Sequence, residues 1–229
     1  MSFIYKFTCG TIILLFKIYT YKVGIFEGGN IVELDNIKKH CDRLVNQIDF
    51  YMGKGKGEEI LIGLCNVTGK ETPQECAKWA NDVTTRLEEN INPDKLILIR
   101  QECACVKTNK YSAYNKKYFK ELRENNEDEN VYLKAVADFL SGRPRIGKKV
   151  EFIDGKIITH MGVGNSCGCF AVKNGWDKPS STTWCRCCQG TLYSIYQFVL
   201  PEKVCHMDII ETHATGGNDC VFSTWYTGK

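Results

Sequence analysis

The chain has 229 residues, enough for one large domain or two small ones with a real core. Hydrophobic residues make up 43% and charged residues 25%, proportions that exclude a disordered or fibrous class. Lys and Arg number 30 against 27 Asp and Glu, so the net charge is +3, a field too weak to call for nucleic acid.

Residues 1–30 form an apolar leader. Phe7 to Phe16 could serve as a short signal-like core, but Lys17 and Lys22 follow it and no small-residue cleavage site precedes Gly28. The run is also too short to span a bilayer. It reads as a buried strand or a loose extension, and the expected location is cytoplasmic, where thiols stay reduced.

Residues 34–52 place Ile37, Cys41, Leu44, Val45 and Ile48 at helical spacing. The glycines from Gly53 to Gly57 break that pattern. Thr72, Pro73 and Glu75 are an N-cap, a first-turn proline and the far half of a capping box, so they open a helix that runs to about Asn90. Pro93 starts another short helix, and residues 112–142 read as two more, stopped by Gly142 and Pro144.

The period then changes from helical to alternating. Residues 148–161 form a hairpin, with Asp154-Gly155 suited to a type I′ turn. "SCGCFAV" reads as a third strand, and "CCQGTLYSIYQFVL" as a helix with Leu192, Ile195, Tyr196 and Val199 on one side. "KVCHMDIIETHA" and "CVFSTWY" make a last hairpin. Helices over 31–145 followed by a mixed cysteine-rich part over 146–229 predict an α+β fold, the two parts forming one compact domain.

Cysteine is the outlier. There are 13, an odd number that pairing alone cannot use. Three Cys-x-Cys pairs stand out: Cys103/Cys105, Cys167/Cys169 and Cys185/Cys187, with Cys188 adjoining the third. Thiols two apart share a face of a strand and converge in a turn, so each pair is a ready two-tooth ligand. Two pairs complete a four-sulfur tetrahedral site, as zinc or an iron–sulfur cluster requires, and sulfur disfavours magnesium and calcium. Redox-active thiols and plain packing remain the alternatives. Cys41, Cys65, Cys76, Cys205 and Cys220 read as core residues.

Other motifs carry less. Residues 63–71 resemble a phosphate-binding loop but have one residue too many between the glycines and Glu71 where Ser or Thr is needed. Glu211 and His213 fall on one face of a predicted strand, where a carboxylate beside an imidazole could move protons. His160 and His206 read as structural.

The stretch from Cys187 to Tyr226 resembles the tail of 4-vinyl reductase-type ligand-sensing domains. The likeness rests on a small-residue helix, a strand, the acidic element Glu211-Thr212-His213-Ala214-Thr215-Gly216 and the closing Cys220-Val221-Phe222. Residues 72–226 more broadly resemble an uncharacterised bacterial family of cysteine-rich proteins, through Trp79, Cys103/Cys105, Cys167-Gly168-Cys169-Phe170 and Cys185-Arg186-Cys187. The resemblance implies a helix packed on an antiparallel sheet around a small-molecule pocket, which Tyr193, Tyr196 and Phe198 would line. The leader falls outside it.

The expected function is a metal-binding protein, with zinc or an iron–sulfur cluster, that binds or senses a small molecule without nucleic acid or membrane. One alternative is a hydrolase-like enzyme whose metal activates water, with Glu211 or His213 as base. The other is a thiol redox protein, in which Cys187 and Cys188 or a Cys-x-Cys pair cycle with a disulfide.

Overall fold

A computed structural model describes residues 31–68, 70–104, 109–143, 146–162, 167, 169, 172 and 175–229. The leader, Cys105 and Pro144 lie outside that set. Six helices come first: α1 (Ile31–Met52), α2 (Lys56–Ile60), α3 (Pro73–Asn90), α4 (Pro93–Glu102), α5 (Asn109–Glu124) and α6 (Glu129–Leu140). Then come β1 (Lys149–Ile153), β2 (Lys156–His160), α7 (Arg186–Tyr196), β3 (Val204–Glu211), a 3₁₀ turn (His213–Thr215) and β4 (Val221–Thr227). This is an α+β fold. Among the described residues, no helix is long and apolar enough to cross a membrane.

Local chemistry explains most boundaries. The Thr72 hydroxyl accepts from the Glu75 N–H at 3.3 Å, and the Glu75 carboxylate accepts from the Thr72 N–H at 2.7 Å. That reciprocal pair is the predicted capping box, with Pro73 in the first turn. Asn92 and Asp128 cap α4 and α6 with a single bond each, their side chains accepting from the N–H of Asp94 and of Val131. The glycine-rich break after α1 turns straight into α2. There the Asp49 carboxylate accepts from the backbone N–H of Gly55 and Gly57, at 3.0 and 2.7 Å.

The sheet has the order β1-β2-β4-β3 and is antiparallel throughout. Asp154 and Gly155 carry φ of 50° and 76°, as the predicted tight turn demands. β3 and β4 form the last hairpin, with a register shift between Ile209 and Glu211. Of the predicted strand over 166–172, only Cys167, Cys169 and Val172 are among the described residues, and none of them is in a strand. β3 also stops at Glu211, two residues short of His213, and α7 ends at Tyr196 rather than continuing to Leu200.

Two cores result. One joins α1, α3 and α4 to the start of α7 through Leu44, Ile48, Val83, Leu87, Ile99 and Trp184. The other lays α5, α6 and the rest of α7 on the sheet through Phe119, Tyr132, Leu140, Ile157, Tyr196 and Phe222. Each fully buried large apolar side chain contributes about 1.5–3 kcal/mol. Tyr196 is a core residue rather than a pocket wall: its hydroxyl pairs with Thr159 Oγ1 at 2.7 Å, and its carbonyl accepts from the Tyr226 hydroxyl at 2.9 Å. Tyr193 is partly exposed, and the Phe198 ring lies under the Lys116 ammonium at 3.7 Å.

α7 belongs to both cores because it can approach α4 closely. A Cβ on Gly190 would lie 2.1 Å from the Gln101 carbonyl oxygen, an impossible contact with backbone. Gly190→Ala gains about 1 kcal/mol of helix propensity yet is expected to destabilise the protein by about 2 kcal/mol or more. Ser194→Ala, on the same helix away from that contact, stays within about 1 kcal/mol. Chemical denaturation of both variants checks the difference.

Candidate functional site

The sulfurs gather at the N-terminal turn of α7. Cys185 is its N-cap, and Cys187 and Cys188 lie in its first turn. Cys167 and Cys169 arrive on the irregular segment before the helix, and Cys220 arrives at the start of β4. Cys167 and Cys220 make a thiol–thiol hydrogen bond, and so do Cys187 and Cys188. A Cys185 thiolate would feel Cys167, Cys187 and Cys169 in turn, and Cys188 feels Cys169 and Cys185 as well. Three distant segments thus bring six thiols together.

Cys103 is fully buried and shares a core with Cys169, Cys185 and Cys187. Its predicted partner Cys105 is outside the described residues. Cys220 is the member that sequence reasoning assigned to the core. Its signal was the place just past the Glu211–Gly216 element. Cys185 and Cys188 also carry Cys-x-x-Cys spacing, which reading the chain in Cys-x-Cys pairs passes over.

Local structure holds this turn in place. Trp184, immediately before the N-cap, is 1% exposed and meets Trp79 edge-on at 5.4 Å. The Arg100 guanidinium lies over the Trp184 ring at 4.7 Å and donates to the carbonyls of Trp184 and Thr183 at 2.7 and 3.2 Å. It also meets His40 Nε2 at 3.0 Å. Arg100 is 0% exposed, and among the described residues no carboxylate pairs with it. Burial, then the charge of Arg100, lowers the His40 pKa to about 3, so His40 is neutral in the fold. Cys187 lies close enough to His40 to act weakly against that lowering, so the Arg100 guanidinium is the positive charge beside the cluster.

Three of the thiols, Cys167, Cys185 and Cys188, are held protonated. The hydrogen bond to Cys187, then burial, pushes Cys188 well up. Burial pushes Cys185 up, against the Thr212 hydroxyl, which favours its thiolate. Cys167 is raised first by the proton it gives to Cys220 and then by burial. Cys220 is the exception. The Cys167 thiol and the His213 backbone N–H both favour its thiolate and outweigh burial. The indole N–H of Trp176 makes no full hydrogen bond among the described residues, yet sits near enough to Cys167 to favour its thiolate. The α7 dipole adds a positive potential at the same end.

Coordination geometry is less complete than the donor set. Among the described residues, no group of three or more His, Cys, Asp or Glu side chains is arranged to hold a metal ion. Four of the sulfurs are set in two hydrogen-bonded pairs. Beside them, a groove of about 490 Å³ is lined by Gln74, Ala77, Asn81, Lys178, Pro179 and Trp176, so Trp176 stands between groove and thiols.

The two base candidates part company. Glu211 Oε1 accepts from the Asp219 N–H at 2.9 Å, which braces the β3–β4 turn. His213 lies in the 3₁₀ turn, not on a strand face with Glu211, and its buried Nε2 has no hydrogen-bond partner among the described residues. His160 Nδ1 lies 2.9 Å from the Asp219 carboxylate. Comparison with known proteins finds no matching family model, no matching curated protein and no matching solved structure.

Neutral His40 makes an acid-sensitive joint. Its folded pKa of about 3 lies below the ordinary 6.5, so between those values the unfolded chain binds the extra proton. Stability from this group is complete above pH 6.5 and falls as the pH drops toward 3, by on the order of a few kcal/mol. Denaturation midpoints measured across that window should slope less in His40→Gln than in the parent protein.

Proposed function

We propose that the chain is a cysteine-rich binding or sensing protein whose thiol cluster at the start of α7 takes a soft metal, as zinc or an iron–sulfur cluster. The observation that carries this reading is the meeting of Cys167, Cys169, Cys185, Cys187, Cys188 and Cys220 from three separate segments. Sulfur donors of this number suit zinc or iron and not hard cations. Loading would turn paired thiols into thiolates and release their protons, because each ligand binds deprotonated. Arg100, Trp184 and the Thr212 hydroxyl would hold the turn and orient Cys185, as supporting groups do around metal ligands.

The groove at Trp176 is the natural place for a small molecule, so occupancy there could be felt at the sulfurs through one indole. The helix on an antiparallel sheet agrees with the resemblance to 4-vinyl reductase-type sensing domains, which stays part of the proposal. A second reading is dithiol redox chemistry. It is favoured by the bonded pairs Cys187/Cys188 and Cys167/Cys220, and by Cys185-x-x-Cys188 at a helix N-terminus. The hydrolase reading has less support, since Glu211 is spent on the Asp219 N–H.

Elemental analysis and a visible spectrum of protein purified without oxygen test the reading. Stoichiometric zinc, or iron with acid-labile sulfide and a brown colour, is expected. Cys185→Ser should lose stoichiometric metal, and Thr212→Val should hold it about tenfold more weakly. Metal-free protein whose titratable thiols do not change with chelator would overturn the metal reading in favour of redox chemistry.

A further inference from the structure

A second sulfur site lies apart from the cluster. Cys41 is on α1, and Cys65 follows α2, 24 positions further along the chain. Their thiols are in hydrogen-bond contact, Cys41 donating to Cys65. Cys41 is 2% exposed, whereas Cys65 is half-buried and lines a groove of about 510 Å³ with Asp42, Val45, Glu58, Leu61 and Gly63. A half-buried thiol that lines a groove is therefore in contact with a buried one.

We propose that Cys41 and Cys65 are a dithiol that a low-molecular-weight disulfide, of the oxidised-glutathione class, closes into an intramolecular bridge. Cys65 is the attacking sulfur. The hydrogen bond from Cys41, helped by Lys38, favours its thiolate, against burial and Asp42. The Cys65 thiolate attacks one sulfur of the small disulfide, an S–S bond forms at Cys65, and one small thiolate leaves. Cys41 then loses its proton and attacks the Cys65 sulfur, which expels the second small thiolate. Two protein thiols are oxidised to one disulfide, and one small disulfide is reduced to two thiols. The buried member resolves what the exposed member captures, the usual division of labour in such pairs.

Closure tethers the chain after α2 to the middle of α1. Cys41 adjoins His40, which contacts Arg100 and the Trp184 ring, so the bridge fastens the same helix turn that abuts the main cluster. The pair is separate from the proposed metal site, and its oxidation stands or falls without it.

The experiment equilibrates the full chain in reduced and oxidised glutathione mixtures, traps it in acid and maps non-reduced tryptic peptides by mass spectrometry. The expected product joins the peptide of residues 40–43 to that of residues 57–70, lighter by two hydrogens. In Cys41→Ser the mixed disulfide at Cys65 should accumulate about tenfold or more over the parent protein, because the resolving thiol is gone. In Cys65→Ser, Cys41 should stay unmodified. The parent-protein crosslink is read without any variant, so a misfolded variant does not decide the matter. Absence of the 40–43/57–70 product at the most oxidising mixture, or glutathione retained on Cys65 in the parent chain, overturns the proposal.

Discussion

The fold turns on a buried guanidinium with no carboxylate. Arg100 reaches across from α4 and is satisfied by the carbonyls of Thr183 and Trp184, by His40 and by the face of an indole. Leaving such a charge unpaired in a core costs several kcal/mol, so the chain must keep those two carbonyls where they are. They stand immediately before Cys185. Holding them fixes the position and direction from which α7 starts, and hence where three of its cysteines point. His40 has to stay neutral for the same reason, since a second positive charge there would face the first.

Gathering thiols at that turn has an electrostatic consequence. Neighbouring thiolates repel, and burial penalises each of them. The sulfurs therefore share protons in pairs, Cys167 with Cys220 and Cys187 with Cys188. The cationic side at Arg100, the start of the α7 dipole and the hydroxyl of Thr212 offset the penalty only in part. A cluster with this balance is stable when protonated and is primed to exchange those protons for a cation or for an S–S bond. Both outcomes remove negative charge that the surroundings cannot neutralise alone.

What the sequence reveals here follows the range of the forces involved. Thr72 with Glu75, Asp154 with Gly155, and the apolar face of Leu192, Ile195 and Tyr196 act within a few residues, and each element formed as its residues dictate. The α+β ordering followed from them. The candidate site was legible in part: the Cys-x-Cys spacing marked Cys167, Cys169, Cys185 and Cys187. Cys220 looked like any small residue on a strand because its meeting with Cys167 depends on how β4 is placed between β2 and β3. Glu211 looked like a base because its bond to the Asp219 N–H exists only once the turn is closed. Cys167 and Cys169, expected on a strand, are described outside any strand, where they meet the start of α7.

α1 ties the two sulfur sites to one rigid element. Successive residues on a helix point about 100° apart. His40 and Cys41 accordingly face different neighbours, His40 the Arg100–Trp184 joint and Cys41 the thiol of Cys65. The Asp49 carboxylate, two turns further along, holds the backbone of α2. Gly57 allows that short helix to press on α1, since a Cβ there would lie 2.5 Å from the Val45 carbonyl oxygen. The segment bearing Cys65 is thus already clamped near its partner at one end. The sulfur-to-sulfur contact is then the step that the proposed oxidation would make covalent.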